Sequence, residues 1–279
     1  MPELPEVETV RRGIAPVLEG TRFIRADARR PDLRVPIPEN FSKALVGKRV
    51  RHVGRASKYL LIYMEDGLVM ILHLGMSGKI TLYNEADGPP PEPAKHDHLH
   101  FETDGGITMM FNDPRRFGLV VFSDETSLDQ HPLIASMGPE PLANGFNSAY
   151  LGEQLARRKA PIKNILLDQK VIAGLGNIYV CEALYRAGVH PARPANKLTD
   201  KEISALTGII RDVINEAIAA GGSTLKDYAQ VDGELGYFQH RFKVYGRGGE
   251  PCLTKGCGSE IERIVQAARS SFFCPSCQP

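Results

Sequence analysis

Apolar positions along this chain follow two rhythms. Val7, Val10, Ile14, Val17 and Leu18 recur every three or four residues, the spacing of one helix face. Pro5 suits the first turn of that helix and Gly20 suits its stop, while Glu6 and Glu8 lie near the positive end of its dipole. A helix therefore begins almost at the first residue. From residue 22 to about 124 the rhythm changes to short apolar runs, such as Tyr59 to Met64, Leu68 to Leu72, Lys79 to Tyr83, Ile107 to Phe111 and Leu119 to Phe122. Turn signals such as Asp66-Gly67 and Asp104-Gly105-Gly106 separate them, which predicts an antiparallel sandwich or barrel. The stretch Asp87 to Pro93 reads as a loop.

Prolines and glycines between residues 132 and 150 predict an interdomain linker. Helical periodicity returns over residues 151–220, with breaks around Lys159–Lys163, Gly174–Asn177 and Gly188–Pro194, so about four helices are expected before Gly221-Gly222. Residues 241–279 form a small cysteine-bearing tail with strand-like runs at Phe242–Tyr245 and Ser270–Phe273. The fold class is α+β in two main parts. Boundaries fall at 2–132 for the β-sandwich with its leading helix, 133–150 for the linker, 151–240 for the helical part and 241–279 for the tail.

Composition refines this picture only in places. The 279 residues are ordinary for a globular protein, with 42% hydrophobic and 24% charged residues and a formal net charge of +1. No membrane-spanning run is present, and early glutamates argue against a signal or transit peptide, so the chain is expected in the cytosol. Residues 151–279 carry 17 Lys+Arg against 13 Asp+Glu, a mild basic excess that fits a phosphate-facing surface.

Four of the five cysteines fall in the tail as C-x4-C, sixteen residues, then C-x2-C: Cys252, Cys257, Cys274 and Cys277. Two short knuckles of thiolates supply tetrahedral ligands for one structural Zn2+, with no position left open for water. A tail this short has too little core to fold unaided, which favours the metal over free thiols. Zinc ribbons serve many functions, so the site specifies architecture more than activity.

Pro2 becomes the terminal residue once Met1 is removed. It then offers a secondary amine with a pKa of about 7.7–8, partly unprotonated at neutral pH, and a nearby positive helix end disfavours the ammonium further. Attack of such an amine on a sugar's anomeric carbon gives an iminium that has no N–H proton to lose and so promotes elimination. Glu3 and Glu6, three residues apart, can flank one reaction centre. Read alone, the stronger interpretation is an ordinary N-terminal proline with two dipole-stabilising glutamates.

That balance changes with the rest of the chain. MPELPEVETV, SKYLL (57–61), HLGMSG (73–78), HDH (96–98), NDPRRFG (112–118), GLGNIY (174–179) and RSSFFCPSCQ (269–278) together resemble, in order, the signatures of bacterial formamidopyrimidine-DNA glycosylases. The resemblance spans essentially the whole chain. It implies an N-terminal β-sandwich with a catalytic N-terminal helix, a C-terminal helix-two-turn-helix domain with a zinc-finger hairpin, and DNA in the cleft between them. It also implies excision of oxidised purines (8-oxoguanine, formamidopyrimidines) from double-stranded DNA and strand cleavage by β,δ-elimination.

By the same resemblance Pro2 is the Schiff-base nucleophile, Glu3 a general acid and Glu6 a supporting carboxylate. Lys58, otherwise read as a solvated lysine at a strand start, assists β-elimination. Arg269 holds the lesion phosphate with its forked guanidinium; the family has Gly before it where this chain has Ala268. Met76, Arg115 and Phe117 match residues that fill the hole left by a flipped nucleotide, and His96, Lys159 and Asn177 match contacts to DNA. Gly174 and Gly176 partly imitate a dinucleotide fingerprint, but Tyr179 stands where that motif needs glycine. The alternation His96, His98, His100 places three imidazoles within reach of one strand face, and a phosphate contact for His96 is the preferred reading over a metal site. Ser223 to Phe238 aligns with a loop that covers the flipped base in relatives. The resemblance implies a monomer in the bacterial cytosol, associated with the nucleoid through its function, with no membrane and no redox or nucleotide cofactor. The rival readings are an endonuclease VIII-like enzyme for oxidised pyrimidines, which lacks the Arg-Arg-Phe stretch, and a non-catalytic DNA-binding relative with a zinc ribbon.

Overall fold

The computed structural model describes residues 2–223 and 236–279. They fall into two compact units, Met1–Ala135 with Ala220–Tyr237 and Ser136–Ala219 with Phe238–Pro279. Most of the stretch Ser223–Phe238, residues 224–235, lies outside the described residues.

The first unit opens with α1 (Leu4–Leu18), followed by β1 (Phe23–Ala28), the short α2 (Phe41–Leu45), β2 (Val50–Ala56), β3 (Tyr59–Met64), β4 (Leu68–His73), β5 (Lys79–Asn84), β6 (Asp97–Thr103), β7 (Ile107–Asn112) and β8 (Leu119–Asp124). Two antiparallel four-stranded sheets form, in the orders β1-β6-β7-β5 and β2-β3-β4-β8. Side chains from both sheets meet in one core: Phe23, Leu99, Phe101, Met109 and Phe111 from the first, Val53, Leu60, Ile62, Met70 and Leu72 from the second. The predicted apolar stripe of α1 (Val7, Val10, Ile14, Leu18) joins the same core, so the helix is built into the sandwich. The second sheet is covered on its other face too, where Leu61, Val69 and Ile71 pack with Leu128, Leu133 and Ile134. That double burial explains why β3 and β4 read as unbroken apolar runs.

The second unit contains α3 (Ser148–Ala156), α4 (Ile162–Leu166), α5 (Asn177–Arg186) and α6 (Asp200–Ala219), then β9 (Glu262–Gln266) and β10 (Arg269–Phe273) as a hairpin. Helix α3 begins inside the span expected as linker, where the Asn147 side chain caps it by accepting the Tyr150 N–H. Phe146 is fully buried, and the Gly138 N–H donates to the Gln169 carbonyl. Lys163, expected in a break, lies within α4. Among the described residues no helix is long and apolar enough to cross a membrane.

The run Phe242–Tyr245 is not a strand. The backbone N–H groups of Lys243, Val244 and Tyr245 all donate to the fully buried Glu182 carboxylate of α5, at 2.9, 3.0 and 2.9 Å. A side chain takes the donors that a neighbouring strand would have used.

The β9–β10 hairpin turns at Ala267 and Ala268, both left-handed with φ of 46° and 59°. Two alanines at positions that favour Asn-Gly hold this turn under mild strain. Ala268→Gly is expected to stabilise the zinc-loaded chain by about 0.5–1 kcal/mol, seen as a higher melting temperature. An unchanged or lower value would remove strain from the account of this turn.

Candidate active site

The start of α1 is built around Glu6. Its Oε2 accepts the backbone N–H of Glu3 at 2.8 Å, and its Oε1 accepts the N–H of Ser223 at 2.8 Å. One buried carboxylate therefore fixes the helix start and the segment at Ser223 together. Pro2 and Glu3 are buried at the same place, with Glu3 as the residue that precedes the first helical turn. The spacing of Glu3 and Glu6 gives no sign that both Glu6 oxygens receive main-chain donors.

Lys58 belongs to another element, one that is tied to α1. Ser57 and Lys58 form the tight turn between β2 and β3, with Ser57 at φ 56°, and both are buried. Arg55 ties this turn to α1: its Nε donates to Glu8 at 3.1 Å and its guanidinium to the Ser57 carbonyl at 2.7 Å. Arg11 and Arg12 also bond Glu8, at 2.9 and 2.8 Å. Burial alone would raise the Glu8 pKa, but the hydrogen bonds from Arg11, Arg12 and Arg55 outweigh it and bring it down to about 2. A depressed pKa favours the folded state above the unfolded value near 4.5, and that contribution disappears as pH falls through about 2. Glu8→Gln should therefore melt at a lower temperature than the parent at pH 7, with the gap closing between about pH 4.5 and 2. A gap independent of pH would mean that the carboxylate charge is not what stabilises this corner.

Met76 lies on one loop, and Arg115 and Phe117 lie on a second loop that packs closely against it. Met76 is half-buried, whereas Arg115 and Phe117 are exposed, with the Arg115 guanidinium 4.9 Å from the centre of the Phe117 ring. The fully buried Asp113 joins the loops: it accepts the Ser77 hydroxyl at 2.8 Å and the Gly118 N–H at 2.7 Å. Ser77 in turn accepts the Arg115 N–H at 3.3 Å. Gly75 makes the close approach possible. At φ 67°, a Cβ there would stand 2.4 Å from both Gly118 N and the Phe117 carbonyl carbon.

His73, at the end of β4, accepts the Gly75 N–H on Nδ1 at 3.0 Å. Burial, with lesser contributions from Lys58 and Arg34, lowers its pKa to about 4, so it is neutral near pH 7 and keeps that acceptor. His96 precedes β6, and its carbonyl accepts the Asp113 N–H. His98 bonds the Asp113 carbonyl through Nε2, so the histidines do not form a metal cluster. Among the described residues only the four tail cysteines converge as metal ligands.

In the second unit, Asn177 is the first residue of α5 and its amide donates to the Ser270 carbonyl at 3.0 Å. The same carbonyl accepts from Lys163 Nζ at 2.8 Å, and Lys163 also donates to the Ser271 hydroxyl at 2.7 Å. The glycine-rich turn is thereby fastened beside Arg269, which is exposed at the start of β10. Lys159 is exposed between α3 and α4. Sequence reasoning missed Lys163; a lysine amid Ile162, Ile165 and Leu166 was its only signal.

Cys252, Cys257, Cys274 and Cys277 bring their sulfurs within 4.8 Å of one another. The pairs Cys252–Cys277, Cys257–Cys274 and Cys257–Cys277 stand at 3.8, 3.5 and 3.5 Å. A tetrahedron with Zn–S arms of about 2.3 Å has edges of roughly 3.8 Å, so these four thiols fit one structural zinc ion. The first knuckle, C-x4-C, is two residues longer than the second, C-x2-C, and still delivers both its sulfurs to the cluster.

Three family profiles match in chain order: the formamidopyrimidine-DNA glycosylase N-terminal domain over residues 1–120, the H2TH domain of the same enzymes over 137–229, and the zinc finger found in FPG and IleRS over 249–279. The chain is 54% identical to the formamidopyrimidine-DNA glycosylase of Dinoroseobacter shibae over 283 aligned positions and 54% identical to that of Azorhizobium caulinodans over 292, each match covering 100% of both chains. Among solved structures, MutM (Fpg) of Thermus thermophilus is 40% identical with a TM-score of 0.87, covering 99% of this chain and 98% of that one. A Lactococcus lactis Fpg mutant in complex with Fapy-dG-containing DNA is 36% identical with a TM-score of 0.89, covering 99% of both chains.

Proposed function

The chain belongs to the formamidopyrimidine-DNA glycosylase family, and from that we infer that it is a bifunctional glycosylase and AP lyase repairing oxidised purines in DNA. Relatives have been solved with Fapy-dG-containing DNA and with abasic-site DNA, substrate and intermediate of such a reaction. The observation that carries the assignment to residues is the buried Pro2–Glu3 start of α1, held by Glu6 and tied through Glu8 and Arg55 to the Ser57–Lys58 turn.

On this reading Pro2, terminal after loss of Met1, attacks the C1′ carbon of the damaged nucleotide. The N–C1′ bond forms as the bond to the base breaks, and the base leaves with a proton. Glu3 donates the proton that opens the sugar ring, which completes the iminium. Lys58 assists removal of a C2′ proton; the 3′ phosphate then leaves by β-elimination and the 5′ phosphate by δ-elimination. Glu6 supports the reaction as a clamp on the backbone of Glu3. Arg269 grips the lesion phosphate, and Met76, Arg115 and Phe117 occupy the gap left by the flipped nucleotide. His96, Lys159 and Asn177 contact the backbone of the damaged duplex, which makes binding salt-dependent. Zinc, when bound, crosslinks the two knuckles of the hairpin that carries Arg269. Residues 2–132 form the catalytic part, 133–150 the connection, 151–240 the helical DNA-binding part and 241–279 the zinc finger. The protein acts as a monomer in the bacterial cytosol, at the nucleoid.

Borohydride trapping on a duplex with one 8-oxoguanine opposite cytosine tests this. Reduction converts the iminium into a covalent protein–DNA adduct, which peptide mapping should locate at Pro2. Retained Met1 should abolish it. Absence of an adduct from untagged, zinc-loaded protein lacking Met1, even on abasic DNA, would refute the lyase assignment.

A further inference from the structure

Tyr185 touches the metal centre from outside the tail. It lies in the last turn of α5, and its hydroxyl is 3.3 Å from the Cys252 sulfur and 2.7 Å from Thr254 Oγ1. Thr254 belongs to the Leu253–Gly256 loop, which makes the first knuckle C-x4-C, and its own backbone N–H reaches the Cys252 sulfur at 3.5 Å. The Tyr185 side chain packs on the apolar cluster formed by Cys181, Val244, Ile261 and Cys274. Its ring is thus held by packing, and its hydroxyl is free to serve a separate purpose.

We propose that Tyr185 is a positioning residue of the zinc centre, whose hydroxyl donates to the Cys252 thiolate and slows loss of the metal. A metal-bound thiolate carries no proton, so it can only accept. That fixes the direction of the chain of hydrogen bonds: Thr254 Oγ–H donates to Tyr185 Oη, and Tyr185 Oη–H donates to Cys252. The sulfur then receives two donors, one from the Thr254 backbone and one from the tyrosine. Both hold its orientation and disperse its charge, the usual work of groups that bond a metal's ligands. The arrangement also pins the longer knuckle to α5, a rigid helix, so the loop does not loosen the site it serves.

The inference rests on the four cysteines holding zinc, and the experiment separates the two. Zinc content of the purified full chain is measured first; a parent protein that binds no zinc would refute the metal centre itself. Release of zinc from the loaded parent, Tyr185→Phe and Thr254→Val is then followed with an excess of coloured chelator. Tyr185→Phe keeps the ring and should release zinc about tenfold faster, with Thr254→Val changed in the same direction by less. In the Co2+-substituted proteins the sulfur-to-metal charge-transfer band should move to longer wavelength in Tyr185→Phe, because a thiolate stripped of a donor is easier to oxidise. Release rates and spectra identical to the parent in both variants would overturn the proposal. If Tyr185→Phe fails to load metal, Thr254→Val decides by the same two readouts.

Discussion

Gly75→Ala should lose base excision far more severely than it loses cleavage of DNA that already contains an abasic site. The new methyl group would stand 2.4 Å from the Gly118 nitrogen and the Phe117 carbonyl carbon, which are main-chain atoms with no rotamer to escape into. The left-handed φ of 67° adds a second penalty for any residue with a Cβ. Together these should cost about 3 kcal/mol of stability, as overpacking and a mismatched backbone do elsewhere. The functional loss follows from which loops separate. On the roles proposed for Met76, Arg115 and Phe117, separating the two loops that carry them would leave the gap in the duplex incompletely filled. Holding an intact damaged nucleotide outside the stack needs that filling, whereas an abasic nucleotide has no base to unstack. Single-turnover excision of 8-oxoguanine should fall about 100-fold, the equivalent of about 2.7 kcal/mol, with much smaller change on abasic DNA. Equal losses on both substrates would place the damage in Pro2 chemistry and not in the two loops.

Glu182→Ala should produce the largest loss of stability of any single change in the second unit considered above. It strips the shared acceptor from three main-chain N–H groups at once. Unsatisfied buried donors cost about 1–3 kcal/mol each, and with partial hydration the total should be about 4 kcal/mol. Glu182→Gln is the informative partner. Its carbonyl can replace Oε1, which serves Val244 and Tyr245, but its NH2 would face the Lys243 N–H. The loss should then be about 2 kcal/mol, with faster amide exchange at Lys243 than at its two neighbours. Similar stability for parent and both variants in thermal melts of zinc-loaded protein would show that water can replace the carboxylate.

Some parts of this fold were plain in the sequence and others were hidden, for reasons that lie in burial. Strands β3 and β4 were readable because both their faces are covered, giving continuous apolar runs. Strands β1 and β2 are sheet edges, and Arg25, Arg51 and Arg55 interrupt their apolar positions. Strand β6 is interior, yet it alternates Leu99 and Phe101 with His98, His100 and Glu102 and so lacks the continuous apolar run that marks β3 and β4. Phe242–Tyr245 looked like a strand because composition cannot reveal that a distant glutamate takes its N–H groups.

The candidate site divides in the same way. Collinear motifs brought out Pro2, Glu3, Lys58, Met76, Arg115, Phe117 and the four cysteines. The groups that hold them in place were not legible: Arg55 bonds a turn to a helix, Asp113 joins two loops, and Lys163 fastens a hairpin. Each acts on main-chain atoms whose position depends on the completed fold, and no spacing rule reports that.

The clamp at Glu6 has a consequence for the order in which the chain acquires its function. Its partner Ser223 lies 217 residues further along, and the first compact unit includes residues 220–237 as well as 1–135. Synthesis proceeds from the N-terminus, so a nascent sandwich emerges with its leading helix in place and this donor still missing. The Pro2 end therefore waits for residues 136–219, the larger of the second unit's two segments, to be made before its surroundings are complete. A ribosome-bound chain shorter than about 220 residues would fold much of its β structure while remaining incompetent at the reaction centre.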